Sequence, residues 1–396
     1  MPDARMKNSN PGNFYWTAAR LLGRALRFRY ARMRTAPLKP EAVSLAVTNR
    51  CNSHCVMCNM WKRAQEHPNI KLLELSRDEI IDLFSRPLFS GLVELDLTGG
   101  EPHLRDDLVD IALGIAGLKK NFLPHLRSIV ITSNGLLPER IISNYQKILE
   151  GLRDTNIDLV TVASIDGIGT THDKIRGTKD AFKLAAGTIG GLLELREKYP
   201  GYFIGVKTTV LPENIDSLDD ILEFAVKENL FHIISPAFFT ETRFRNTDKR
   251  KSQRLGPADH EKLLNFYSRH ELNTNYFYSR IRGSISTGRK CWLCTAAYNY
   301  MFIEFDGTAY PCELLPEPIG NVREQDPEVV WNDAQAHDWR TRTDKTETCR
   351  NCIEPGAVRY SACAEGLSYL GFLRQLGRRR FNESLHGEGF SKYFND

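Results

Sequence analysis

The 396-residue chain contains no apolar run approaching the roughly 18 residues of a membrane-spanning helix. It has no internal repeats with a period of about 20 to 50 residues and no low-complexity tract, which excludes solenoids and wholly disordered chains. Its first residues lack the uninterrupted apolar segment and small-residue cleavage site of a secretory signal, so a cytoplasmic location is expected. Net charge is also scarce, only +4, so no nucleic-acid partner is expected. What remains is an ordinary soluble composition, 41% hydrophobic and 26% charged, on a chain long enough for two or three units or for one barrel with an appendage.

Acids are missing from one region. Residues 1–40 hold nine Lys or Arg against a single acid, Asp3, so this stretch carries +8 and the rest of the chain −4. Within residues 14–34, Arg20, Arg24 and Arg27 share one helical face, while Ala18, Leu21, Leu22, Ala25 and Phe28 recur at helical spacing on another. The pattern predicts a basic amphipathic helix. It packs on the main body with its arginines solvated, or it docks on an acidic partner or peripherally on an anionic membrane, the inner membrane surface being the expected one.

The nine cysteines fall into an N-terminal triplet, Cys51, Cys55 and Cys58, and a distant group, Cys291, Cys294, Cys312, Cys349, Cys352 and Cys363. An odd count, close C-x-x-C pairs and no secretion signal favour metal binding over a disulfide framework. Three thiolates in a C-x3-C-x2-C loop suit three irons of a four-iron cube, with the fourth iron open to a small molecule. A structural zinc site would need a fourth ligand, for which His54 is the local candidate.

The next 180 or so residues alternate between short apolar runs and helical patterns, as a parallel α/β barrel requires. Expected strands are Val43 to Val47, Val93 to Leu97, Ser128 to Thr132, Leu159 to Ile165, Ile204 to Val210 and Phe231 to Ile234. Ser76 and Glu79 have capping-box spacing and open a helix stopped by Pro87. Polar motifs follow the strands: Gly99-Gly100-Glu101-Pro102, then Ser133-Asn134, then Ser164 and Asp166, with Arg176 and Asn214 further on. Hydroxyl, amide and carboxylate groups gathered at strand ends suit recognition of a ribose and a carboxylate. His172 and Asp173 suit a capping role as well as a catalytic one.

Together, the triplet after the first strand and the Gly-Gly-Glu-Pro motif after the second resemble the radical S-adenosylmethionine (SAM) superfamily. The resemblance implies a partial (β/α)6 TIM-like barrel, a [4Fe-4S] cluster on Cys51, Cys55 and Cys58, and SAM on its open iron. It also implies that Gly99, Gly100, Glu101 and Pro102 receive the methionine ammonium, that Ser164 contacts the ribose, and that Arg176 meets the carboxylate. Ser133, Asn134, Asp166 and Asn214 complete the expected SAM site. Met57 stands where the family usually has an aromatic residue near the adenine; its sulfur is suited to contact a ring.

Residues 240–256 are polar and basic and read as a linker, with a bridging helix over 257–270. YMFIEFDGTAYPC reads as a hairpin turned at Asp306-Gly307. With Cys294, Cys312, Cys349 and Cys352 it resembles the SPASM/twitch extension of radical SAM enzymes. That resemblance implies one auxiliary [4Fe-4S] cluster on these four residues, with Cys291 and Cys363 as additional or second-site ligands, because Val358 occupies a position where two-cluster members have cysteine. A zinc ribbon on four cysteines is the competing reading. The expected division is thus a basic arm (1–40), the barrel (41–240), a linker and bridging helix (241–290), the auxiliary domain (291–363) and a tail (364–396).

For function, the resemblance implies reductive cleavage of SAM, fed by a one-electron donor such as flavodoxin or ferredoxin, and hydrogen abstraction from a substrate carbon by the 5′-deoxyadenosyl radical. The auxiliary cluster either accepts an electron from a product radical, which points to net oxidation and an oxidoreductase-like reaction, or binds substrate. Without a precursor-recognition module in the first 40 residues or the tail, a small molecule, sugar or lipid is the expected substrate. Maturation of a ribosomally made peptide is the alternative, and a non-enzymatic iron-sulfur or zinc module a remote one.

Overall fold

A computed structural model describes residues 14–269, 272 and 274–394. The first thirteen residues of the basic arm, including Asp3, lie outside the described residues, as do residue 270 of the expected bridging helix and residues 395 and 396 of the tail. The chain forms two compact units. One, the barrel unit, comprises Lys39–Leu255 and Met301–Asp333; the other, the helical unit, comprises the chain up to Leu38, Gly256–Tyr300 and the chain from Ala334 on.

In the barrel unit six parallel strands lie side by side in chain order: β1 (Ala42–Thr48), β2 (Glu94–Gly99), β3 (Ser128–Ser133), β4 (Asp158–Ser164), β5 (Tyr202–Val210) and β6 (Phe231–Pro236). Most are rich in apolar residues, β2 alternating polar with apolar, and helices return the chain from one strand to the next. Leu95 and Leu97 of β2 and Ile129 and Ile131 of β3 are fully buried on the helix-facing side. Side chains of period two on the other face put Val130, Val160 and Val162 together with Phe203 and Phe231 inside the barrel. Ser76 and Glu79 close the expected capping box: the Ser76 amide donates to Glu79 Oε2 at 2.7 Å, and the Glu79 amide to Ser76 Oγ at 3.3 Å.

The expected hairpin forms and extends this sheet. β7 (Tyr300–Ile303) lies beside β1, followed by antiparallel β8 (Thr308–Tyr310) and β9 (Gly320–Asn321). The open edge of β1 offers unpaired backbone groups, and the hairpin covers them. Arg323 fastens it to the barrel, bonding Glu79 at 2.8 Å and the Leu73 carbonyl at 2.9 Å.

The helical unit gathers the helix Phe14–Met33 with Pro257–Tyr267, Tyr276–Thr287 and a run of helices from Pro355 onward. The N-terminal helix is therefore packed as part of this unit, as the first of its two expected readings has it. It lies on Pro355–Glu365 and Leu367–Leu376, burying Thr17, Leu21, Ala25, Phe28 and Ala31. Contact is close at Gly366, where φ is 72° and any Cβ would stand 2.3 Å from the Leu21 carbonyl oxygen. Two of the arginines expected in solvent are used inside the unit: Arg20 donates to the Phe394 carbonyl and Arg24 to the Cys363 carbonyl, both at 2.9 Å.

Candidate functional site

β1 delivers the chain to the loop of Cys51, Cys55 and Cys58, and two segments of the barrel unit pin that loop. From the end of the helix Thr170–Arg176, the Arg176 carbonyl accepts from the His54 amide at 3.0 Å and from Ser53 Oγ at 3.1 Å, and the Ile175 carbonyl accepts from Val56 at 2.8 Å. Gly177, with φ 61°, permits this approach, since a Cβ there would lie 2.5 Å from the His54 carbonyl oxygen. From the other side, Asn246 donates to the Met57 carbonyl at 2.6 Å, and Lys249 to the Cys58 carbonyl at 3.1 Å. Residues 240–256 are thus a buttress of the loop rather than a linker. Asn246 and Arg243 are buried, which a basic, polar stretch does not advertise.

The strand-end groups converge beside it. Glu101 is fully buried and accepts from the Asn134 amide at 2.7 Å, Ser133 Oγ at 3.0 Å and the His103 amide at 3.2 Å. Burial nevertheless pushes its carboxyl up to about 7. Asn134 Nδ2 donates to Asn52 at 2.8 Å and lies 3.9 Å from Cys51 Sγ. The glycine pair serves a backbone contact: a Cβ on Gly99 or Gly100 would stand 2.1 Å from the Thr48 or Arg50 carbonyl oxygen. Pro102 is buried and starts a short 3-10 turn behind Glu101.

Several other residues of the expected SAM site have partners within the protein. Arg176 pairs with Asp166 at 2.6 Å, and its Nη1 lies 3.7 Å from Cys55 Sγ. Asp166 also accepts from the Thr209 amide at 2.7 Å. Asn214 spends its amide on the carbonyls of Asp166 and Thr209 and accepts from Leu211. Met57 packs against Cys55, Ile175 and Leu211. Ser164 ends β4 half-buried, in register with Lys207 of β5. Asp173 accepts from the amide of Phe182, in the first turn of the next helix, and so caps it, whereas His172 Nδ1 accepts from the Asp166 amide and caps no helix.

The donor set fits an iron-sulfur cluster. Burial, with the neighbouring Cys55 thiol adding to it, pushes Cys51 up to about 12 and Cys58 to about 11. Such thiols ionise when a metal takes the charge. Arg176 and Lys249 supply positive charge at the loop. His54 instead lies edge-on to Trp61, ring centroids 4.8 Å apart. Among the described residues, no group of three or more His, Cys, Asp or Glu side chains is drawn around a single-ion site.

A second polar set lies inside the barrel, and sequence reading passed over most of it. Glu94, Asp96 and Thr98 alternate with Leu95 and Leu97 along β2, the period-two signal of an inner polar face. Arg243 donates to Thr98 Oγ1 at 3.1 Å, lies 3.6 Å from Glu313 and covers the Phe302 ring at 4.9 Å. Asp96 has a buried oxygen, Oδ1, without a hydrogen-bond partner. Burial pushes its carboxyl up to about 7, Glu313 and Glu94 adding to the effect and Lys207 and Arg243 opposing it.

Of the distant cysteines, Cys294, Cys349 and Cys352 belong to the helical unit, whereas Cys312 follows β8 in the barrel unit. The Cys294 amide faces Asp344 at 3.3 Å, and Lys290 is ion-paired to the same carboxylate. Burial pushes the Cys294 thiol up to about 11, with Lys290 opposing. Cys291 packs on Gly283, and Cys363 is buried within the helix Pro355–Glu365. Tyr298 donates its hydroxyl to the Arg340 carbonyl at 3.1 Å.

Comparison with known proteins accords with this arrangement. Residues 45–225 match the radical SAM superfamily and residues 294–353 match SPASM, an iron-sulfur cluster-binding domain. Relatives include the AdoMet-dependent heme synthase of Methanosarcina barkeri, 28% identical across 75% of this chain and 83% of the relative. They also include the sporulation killing factor maturation protein SkfB of Bacillus subtilis, 26% identical across 72% of this chain and 63% of the relative. The fold is that of Streptococcus suis SuiB bound to S-adenosylmethionine (TM-score 0.52, 15% identity, 89% of this chain and 77% of that one). It is equally that of anSMEcpe with bound AdoMet (TM-score 0.54, 16% identity, 87% and 99%). A [4Fe-4S] cluster and SAM go with the first domain, and auxiliary iron-sulfur binding with the second. The chain belongs to the radical SAM superfamily and carries a SPASM domain.

Proposed function

We propose that Cys51, Cys55 and Cys58 hold the radical SAM cluster and that the protein functionalises a C–H bond of a small polar molecule lying in the barrel. The observation that carries this reading is the inner polar face, where Asp96, Lys207, Arg243 and Glu313 gather in the same unit as the cysteine loop and the strand-end groups. Bound SAM supplies a radical on one-electron reduction; that chemistry belongs to the cofactor. The chain's own part is to bind and orient. Glu101, with Ser133 and Asn134, fixes the ends of β2 and β3 beside the loop. Arg176, held by Asp166, keeps positive charge at Cys55. Asp96 Oδ1 is a buried acceptor in want of a donor, suited to a substrate hydroxyl or amine. Cys294, Cys349 and Cys352 are assigned to the auxiliary cluster, which as an electron acceptor suits net oxidation, the donor to the first cluster being a flavodoxin- or ferredoxin-type protein.

The test is formation of 5′-deoxyadenosine under anaerobic reduction. Cys55→Ala abolishes it; persistence in that variant overturns the cluster assignment. Similarity to SkfB favours a second reading, maturation of a peptide. Deoxyadenosine formation stimulated by a cell extract separates the two: stimulation that survives exhaustive proteolysis of the extract supports the small molecule, and stimulation lost on proteolysis supports the peptide.

A further inference from the structure

The helix Phe14–Met33 has two apolar faces, and the helical unit covers one. On the opposite face Tyr15, Leu22, Leu26, Tyr30 and Met33 form a single stripe, with relative exposures of 63%, 45%, 71%, 58% and 74%. Their spacing follows helical periodicity, and the stripe extends for about 27 Å along the axis at 1.5 Å per residue. Scattered exposed apolar residues need no explanation, but a continuous row of aromatic and aliphatic groups on one helix does.

The charge around the stripe identifies what it fits. The helix contains no acid. Arg27 and Arg34 flank the stripe and are exposed, and Arg29, on its other margin, pairs with Glu365. Trp16, 42% exposed, lies at the stripe's margin with Arg20 4.0 Å over its ring. Aromatic rings and arginines bordering an aliphatic row suit the boundary between lipid headgroups and acyl chains, where ring tips and guanidinium groups remain wet. A second copy of the same helix would bring basic margins together, which opposes self-association. No helix among the described residues is long and apolar enough to cross a membrane, so the contact is with a surface.

We propose that this face docks the protein on an anionic lipid bilayer, the helix lying flat with Leu22, Leu26, Tyr30 and Met33 inserted and Arg27 and Arg34 at the phosphates. The opposite face is already packed, so the docking surface is preformed and need not fold on contact. The inference is independent of the substrate and of the cluster chemistry.

Sedimentation of the full-length, cluster-loaded protein with vesicles tests it, comparing phosphatidylcholine alone with phosphatidylcholine carrying about a third phosphatidylglycerol. The expected result is at least about tenfold stronger binding to the anionic vesicles, weakened by salt. Leu26→Glu with Tyr30→Ser removes most of that binding, and Arg27→Gln with Arg34→Gln lowers it by about tenfold or more. In both variants the melting temperature and basal SAM cleavage stay at wild-type values. Equal binding to the two vesicle types, or wild-type binding by Leu26→Glu/Tyr30→Ser, overturns the proposal. So does a dimer in sedimentation velocity that this variant dissociates, which assigns the stripe to a second copy.

Discussion

Arg176 and Asp166 form a buried ion pair, 2.6 Å between Nη2 and Oδ2, and the same arginine's carbonyl carries the cysteine loop. The pair couples the end of β4 to the cluster ligands. An arginine whose charge is matched within the protein is expected to act as a positioning residue. Arg176→Met leaves Asp166 buried and unpaired, so the expected cost is on the order of 3 to 5 kcal/mol. Chemical denaturation of the apoprotein measures it, and iron retention after reconstitution should fall in parallel. Unchanged stability with impaired SAM binding alone would assign the residue to the ligand and not to the scaffold.

Gly100 and Gly187 make a matched pair of substitutions. A Cβ at Gly100 meets the Arg50 carbonyl oxygen at 2.1 Å, whereas Gly187, inside the helix Ala181–Lys198, has open space around it. Gly100→Ala forces β2 and the start of the cysteine loop apart and should prevent cluster assembly. Gly187→Ala should raise stability by roughly 0.5 to 1 kcal/mol through helix propensity. Iron content and denaturant midpoints of the two variants check both halves.

Asp96 gives the stability a pH dependence of definite sign. Its carboxyl titrates at about 7 in the folded chain against 3.8 as its ordinary value, so the unfolded chain gives up this proton first as pH rises. The folded state therefore loses stability from this group as pH climbs from about 4 to about 7, and the loss levels off above that. Glu94 and Glu313 deepen the effect, and Lys207 and Arg243 limit it. Asp96→Asn should gain on the order of 2 to 4 kcal/mol relative to wild type across this range, with no further gain at higher pH. Thermal melts of both proteins at several pH values measure the difference; parallel curves would show that Asp96 is ionised throughout.

Much of this was legible in the residues. The six parallel strands announce themselves as apolar runs bounded by turn chemistry, and the three cysteines and Gly99-Gly100-Glu101-Pro102 stand at the strand ends where a barrel builds its site. What escaped depends on partners distant in the chain. Arg243 lies in a stretch that reads as solvated, yet its guanidinium covers the Phe302 ring and faces Glu313, both brought in by the hairpin. The residues around Asp306-Gly307 spell a hairpin, but nothing local indicates that it joins the edge of β1. Arg176 and Asn214 look, by residue type and position, like ligand-binding groups; only the structure reveals that they are engaged with Asp166 and the neighbouring backbone.

The distant cysteines lead to the last prediction. Cys294, Cys349 and Cys352 share the helical unit with Lys290 and Asp344, and a cluster bound there should be separable from SAM cleavage at the loop of Cys51, Cys55 and Cys58. Wild-type protein purified without oxygen should contain about eight irons per chain, two four-iron clusters. Cys294→Ala with Cys352→Ala should contain about four and still form 5′-deoxyadenosine under dithionite, because the first cluster and its reductant are untouched. Substrate-dependent turnover should fall in the same variant if the auxiliary cluster accepts an electron. About four irons and one zinc in the wild type would instead assign these cysteines to a zinc ribbon, whose loss costs folding stability and carries no redox signal. Mössbauer spectra and metal analysis of the two proteins distinguish these outcomes.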